Sequence, residues 1–301
     1  MPAEGLNWFS RKDLLTDEEM IRICTLLVNM GIEKIRITGG EPFMRKNILQ
    51  FLTDLTRLNG LKQVTITTNG VLTEPFIPEL KKLGIRSINL SLDTLDREHF
   101  KTITRRDDLP KVLSTMDQLL IQGFEVKLNA VVMDGKNTDD ILPLVELTRA
   151  LPVSVRFIEE MPFNGDGHEY SGIQWNYLRI LQVITEKHPD IKKIIDPAFS
   201  TSFNYKIPGF KGTVGIIAAY TRSFCGTCNR IRITPQGSLR TCLYGNGSVD
   251  LKKILRETDN DANLEIAFLK AINNRAIDGW EAEHKISDKN ALHGSMATIG
   301  G

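Results

Sequence analysis

Lys34-Ile35-Arg36-Ile37-Thr38-Gly39-Gly40-Glu41-Pro42 is the first unit of a repeating pattern. Its first five residues, rich in β-branched side chains, read as a strand, and two glycines and a proline break it. From about Asn47 to Leu58 the apolar spacing is that of a helix. The unit then repeats. Gln63–Thr68 reads as a strand, Asn69-Gly70 as a turn and Pro75–Leu83 as a helix. Ser87–Leu92 is a strand, followed by helices near Asp96–Ile103 and Pro110–Gln122. Val126–Val132 and Val153–Glu159 are strands with a helix over Thr138–Ala150 between them. Upstream, Thr16-Asp17-Glu18-Glu19 is a capping box that opens a helix stopping at Gly31. Strands alternating with helices predict an α/β fold whose parallel sheet is joined by right-handed crossovers.

In such sheets ligands bind beyond the C-terminal ends of the strands. That rim holds Gly39, Gly40, Glu41, Thr67, Thr68, Asn69, Ser91, Asp93, Glu159 and Met161. Within the strands, Arg36, Lys127, Asn129 and Arg156 are expected to share an interior face. Burying such charges is costly, and an anionic ligand would offset the cost.

After Met161 the pattern changes, and the sequence divides into 1–161 and 162–301. Pro162–Gly167 reads as a loop and Trp175–Lys187 as a helix, with shorter strands at Thr213–Ala218 and Arg230–Thr234. Here lies Phe224-Cys225-Gly226-Thr227-Cys228-Asn229-Arg230-Ile231-Arg232, completed by Cys242 in a C-x2-C-x13-C spacing. A tight turn aims the first two thiolates at one point, with Gly226 expected to lend it backbone freedom. A turn at Pro235-Gln236-Gly237 would fold Leu239–Leu243 back and bring Cys242 alongside. Arg222, Arg230, Arg232 and Arg240 surround the trio, suited to balance thiolate charge and to hold phosphate.

Structural zinc closes its tetrahedron with four ligands, and no histidine falls between Cys225 and Cys242. Three thiolates leave one position vacant, which suits a catalytic zinc or an iron–sulfur cluster open to substrate. A structural zinc completed by a distant histidine, and a metal-free cysteine trio, are the alternatives. Cys24 sits in a helical run and reads as core.

The 301 residues suffice for one large domain, or one domain with an appendage. A net charge of +1 gives no case for nucleic acid or a membrane surface as partner. No run approaches the roughly 18 apolar residues of a membrane span. Four cysteines, three of them clustered, and no evident targeting peptide point to a reducing compartment, with the cytoplasm as the expectation.

Arg36–Pro42, Thr67-Thr68-Asn69-Gly70, Asn89–Asp93, Arg156–Pro162, the cysteine trio and the terminal Ile299-Gly300-Gly301 together resemble one family. They are similar, in order and across essentially the whole chain, to the GTP 3′,8-cyclases (MoaA) of the radical S-adenosylmethionine (SAM) enzymes. The resemblance implies an incomplete (βα)6 radical SAM barrel with a C-terminal cluster-binding segment and a Gly-Gly tail. It implies that a 5′-deoxyadenosyl radical from SAM takes hydrogen from the ribose C3′ of GTP. Attack on C8 then gives 3′,8-cyclo-7,8-dihydro-GTP on the way to molybdenum cofactor.

Carried over by motif, Cys225, Cys228 and Cys242 would hold a 4Fe–4S cluster. Arg36, Thr67, Lys127, Arg230 and Arg232 would contact GTP, and Gly40, Ser91 and Met161 would contact SAM, with Arg156 as a further contact. The alternation of a strand would place Arg230 and Arg232 on one face. Catalytic residues beyond these are not assigned. The chemistry needs an electron donor, and a homodimer is compatible with the chain.

The family's C-x3-C-x2-C loop, which holds the SAM-cleaving 4Fe–4S cluster, is absent from these 301 residues. The expectation is that the first strand and this second cluster lie upstream and that the chain alone is inactive. A GTP-binding pseudoenzyme or a zinc-stabilised binding module is the alternative.

Overall fold

The computed structural model describes residues 10–161, 173–245 and 249–285. A short 3₁₀ turn precedes helix α1, Asp17–Asn29, and strand β1, Lys34–Ile37. Next come α2 (Ile48–Thr56), β2 (Gln63–Thr68), α3 (Ile77–Lys82), β3 (Ser87–Ser91), α4 (Arg97–Thr104) and α5 (Leu109–Ile121). They are followed by β4 (Glu125–Val132), α6 (Ile141–Ala150), β5 (Ser154–Glu159), α7 (Tyr177–Lys187), β6 (Lys192–Lys193), β7 (Phe203–Lys206) and β8 (Thr213–Ile217). The chain continues with β9 (Arg232–Ile233), β10 (Ser238–Arg240), β11 (Val249–Asp250), α8 (Leu251–Glu257), α9 (Asp261–Asn273) and α10 (Gly279–His284). The expected capping box forms: the Thr16 side chain accepts from Glu19 N–H and the Glu19 carboxylate accepts from Thr16 N–H.

These residues make two compact units, each drawn from separate stretches of sequence. The described parts of the first are 10–64, 225–245 and 249–285; those of the second are 65–161 and 173–224. Neither coincides with 1–161 or 162–301.

The first unit is built around one apolar cluster. Leu15 and the α1 side chains Ile23, Leu26 and Leu27 pack with Leu239, Leu251, Leu255, Leu264, Phe268 and Ala271. Helix α1 therefore shares its core with elements more than two hundred residues downstream. Arg256 reinforces this by pairing with Glu19, and Arg22 by pairing with Asp261. Strands β9, β10 and β11 form an antiparallel sheet in which Leu239 faces Ile233 and Arg240 faces Arg232. This is the expected hairpin.

In the second unit β2, β3, β4, β5 and β8 run parallel, and β7 and β6 extend that sheet as antiparallel strands. Strand β8, expected in a separate C-terminal segment, pairs in parallel with β5 from Ser154↔Thr213 to Ile158↔Ile217. Alternation gives the parallel strands two unlike faces. One is apolar and buried: Ile66, Ile88, Leu90, Val126, Leu128, Ala130, Val155, Phe157, Val214 and Ile216. Helix α5 packs beside β4, and α6 and α7 pack beside β5 and β8. The other face carries Thr67, Asn89, Lys127, Asn129, Ser154 and Arg156, so Lys127, Asn129 and Arg156 do share a face as expected. At the Asn69-Gly70 turn Gly70 has φ +82°, and a Cβ there would lie 2.5 Å from Leu90 Cδ1.

Candidate functional site

In the first unit Cys225 and Cys228 flank a single 3₁₀ turn, closed by a Cys228 N–H bond to the Cys225 carbonyl at 3.1 Å. Gly226 needs no left-handed backbone there, and open space surrounds its missing Cβ. The turn does not depend on glycine, contrary to expectation. All three cysteines of the trio are half-buried and free of disulfides. Among the described residues, no three His, Cys, Asp or Glu side chains are gathered as for a single metal ion.

The charges around the trio are uneven. Burial alone would push the Cys228 thiol up, but the Arg230 charge, hydrogen bonds from the Arg230 backbone and side chain, and Arg275 outweigh it and bring it down to about 7. Arg275, between α9 and α10, carried no signal in the sequence, 47 residues beyond Cys228. Burial holds Arg232 down to about 10, and repulsion from Arg230 and Arg36 adds to it, while the sulfurs of Cys228 and Cys242 act the other way. Arg36 is lowered by the protein crowding around it and by Arg230, yet it keeps an exposed side where solvent screens that repulsion. The more enclosed Arg232 is the clearer case. Three guanidinium groups that repel one another gather positive charge that an anion would offset.

Arg230 precedes β9, which begins only at Arg232, so regular strand alternation does not relate the two. Arg240 donates from its guanidinium to the Gly245 carbonyl at 3.2 Å and braces the turn carrying Cys242. Arg222, expected beside the cysteines, belongs to the second unit, where it is buried with φ 56°. Gly40 sits in the turn after β1 with nothing within 4 Å of a built Cβ. Glu41 accepts from the Phe43 N–H and caps the following 3₁₀ turn.

In the second unit Ser91 ends β3 with its side exposed, and Met161 is half-buried. Lys127 is paired with Glu125, two residues back on the same face, at 2.7 Å. Asn129 lies between Ser91 and Arg156 in register, and its buried Oδ1 has no hydrogen-bond partner among the described residues. A buried acceptor without a donor is costly, so this oxygen fits a polar ligand that brings one. Gly215 lies opposite Arg156, where a Cβ would approach the arginine Cγ to 3.0 Å, so the missing side chain makes room for the guanidinium stem.

Two rim residues have structural employment that the sequence did not reveal. Glu159 is fully buried and accepts from the N–H of Tyr177 at 2.7 Å and of Thr221 at 2.8 Å, and from the Thr221 hydroxyl at 3.1 Å. One carboxylate thus fixes the start of α7 and the segment before Cys225. Asp93 accepts from Val131 N–H at 2.8 Å, and Asn137 donates to the Asp93 carbonyl at 3.0 Å. Burial pushes the Asp93 carboxyl up to about 6, against the bond from Val131. Nearby, Asp140 accepts from the Thr94 hydroxyl at 2.6 Å and sits 3.0 Å from His99 Nδ1, whose own value it raises. The Gly300-Gly301 tail lies outside the described residues.

Comparison with known proteins places this geometry in a family. The Radical SAM superfamily profile matches residues 4–148, and the Molybdenum Cofactor Synthesis C profile matches residues 153–279. A GTP 3′,8-cyclase of Peptoclostridium acidaminophilum is 36% identical over 305 residues, covering 100% of this chain and 90% of that one. The mitochondrial GTP 3′,8-cyclase of Arabidopsis thaliana is 39% identical, covering 88% and 68%. Human molybdenum cofactor biosynthesis protein 1 is 40% identical over 88% of this chain, which spans only 42% of the human protein's length. In fold the chain is similar to Streptococcus suis SuiB, with a TM-score of 0.60, 15% identity and coverage of 93% and 70%. No described helix is long and apolar enough to cross a membrane. The chain belongs to the GTP 3′,8-cyclase family of the radical SAM superfamily.

Proposed function

We propose that the chain acts in a radical SAM GTP 3′,8-cyclase, joining ribose C3′ of GTP to C8 of its guanine during molybdenum cofactor biosynthesis. The observation that carries this reading is the convergence of Arg36, Arg230 and Arg232 with the cysteine sulfurs in one unit. Cations that repel one another in the free protein gain most from a polyanion such as triphosphate. Cys225, Cys228 and Cys242 would hold a 4Fe–4S cluster, whose thiolates stand farther apart than those on one zinc ion. That cluster would offer a vacant position to the substrate, whereas the one-electron cleavage of SAM would come from the family's other cluster, whose C-x3-C-x2-C loop these 301 residues do not contain.

The chain's own residues bind and orient. Arg36, Arg230 and Arg232 grip GTP, Thr67 hydrogen-bonds it, and Lys127, paired with Glu125 in the free chain, is a further cationic contact. Ser91 and Met161 contact SAM, with Gly40 leaving room for its approach, and the unmatched Asn129 Oδ1 supports a donor-bearing ligand there. Arg156 is a further contact. An electron donor is required, and a cytoplasmic setting keeps the thiols reduced.

Anaerobic reconstitution tests the reading. The expected result is about four irons per chain, broad absorption near 400 nm and GTP binding. Zinc at the cysteines, or a loaded protein that ignores GTP, would leave the binding-module alternative instead.

A further inference from the structure

Asn89 is almost fully buried, at 1% exposure, in the middle of β3 on its polar face. Its amide touches two side chains that carry different hydrogen-bond constraints. On one side, the Arg156 guanidinium donates to Asn89 Oδ1. A guanidinium only donates, so the amide oxygen must face Arg156. The NH₂ end must then face the other way, where it donates to Thr67 Oγ1 at 3.3 Å and to the Ile66 carbonyl at 3.5 Å. An NH₂ group cannot accept, so the Thr67 hydroxyl proton is turned away from Asn89. Among the described residues that proton finds no protein acceptor.

We propose that Asn89 is a positioning residue that makes Thr67 a fixed hydrogen-bond donor to the nucleotide. The proposal rests on the reading of Thr67 as a GTP contact. The direction of the relay is set at its far end: Arg156 orients Asn89, Asn89 orients Thr67, and Thr67 presents its proton to an oxygen or nitrogen acceptor of the nucleotide. A free hydroxyl would spend part of its time with a lone pair facing that acceptor. Holding it as a donor removes the repulsive orientation.

The test is a double-mutant cycle on GTP affinity, measured by equilibrium dialysis on the anaerobically reconstituted chain without reductant. Asn89→Asp keeps the shape and the bond from Arg156, but its second oxygen accepts from Thr67 and reverses the relay. The expected loss of affinity is on the order of tenfold for Asn89→Asp and for Thr67→Val. In the Thr67→Val background Asn89→Asp should cost less than about threefold, because there is no hydroxyl left to reverse. Thr67→Ser, which restores the hydroxyl, should recover most of the affinity that Thr67→Val loses.

If Thr67→Val leaves GTP affinity unchanged, the reading of Thr67 as a substrate contact fails, and the relay with it. If Thr67→Val weakens binding but Asn89→Asp costs the same factor in both backgrounds, the relay alone is overturned. Should Asn89→Asp not fold, Asn89→Ser, too short to reach Thr67, takes its place. The same non-additivity is expected, and its absence is equally fatal.

Discussion

The two units handle charge in opposite ways. In the second, the deepest carboxylate, Glu159, is fully used: two backbone N–H groups and a hydroxyl point at it, and it holds the fold. In the first, the part-buried Arg230 and Arg232 and the more exposed Arg36 repel one another, with the sulfurs of Cys228 and Cys242 as counterweight to Arg232. One arrangement has stability as its product. The other keeps electrostatic strain that a bound anion and a metal-loaded thiolate trio would relieve. The difference separates scaffold from site without reference to any ligand.

Removing a sulfur should have the largest effect. Cys228→Ala should reduce reconstituted iron from about four to below one per chain, by iron assay and absorption near 400 nm. Cys24→Ala should leave the iron unchanged, since burial holds that thiol up at about 11. A smaller effect is expected on the scaffold side. Glu159→Gln turns an NH₂ group toward donors already pointing inward, and it should cost about 3 kcal/mol in a denaturant melt while the cluster still assembles.

Stability should also depend on pH. Asp93 has its carboxyl raised by burial from 3.8 to about 6, so it weighs against the folded state as pH climbs through that interval. His99 is raised from its ordinary 6.5 by Asp140, so the stability it adds is present below that pH and fades as pH rises through its folded value. Both point the same way. Amide exchange in β3 and β4 should show protection falling between about pH 4 and 7, and Asp93→Asn should flatten the lower part of that slope. The mildest test is Gly215→Ala, whose methyl would press on Arg156 Cγ and should cost about 1 kcal/mol.

What could be read from sequence was what is local. The capping box at Thr16, the strands at Gln63–Thr68 and Val126–Val132 and the Pro235-Gln236-Gly237 turn each depend on a few adjacent residues, and all appear in the structure, the second strand one residue longer. Partners at long range were not legible. The apolar stripe of α1 announces a buried face but does not say that Leu251 and Phe268 will cover it. Strand β8 looks the same whether it joins a parallel sheet or a separate segment, since its own pattern is silent about β5. In the candidate site the cysteines and Arg232 stood out by spacing and clustering. Arg275 did not, and Asn89 appeared only as the first residue of a motif with no role of its own, because each acts through a neighbour met only after folding.

On the proposed reading, the cations around the cysteine trio serve a nucleotide at the expense of stability. GTP affinity and unfolding free energy, measured together for Arg232→Met beside the parent chain reconstituted under the same anaerobic conditions, separate the two roles. The account predicts an affinity loss on the order of 30-fold with stability unchanged or raised. Unchanged GTP affinity, with stability lost instead, would contradict it.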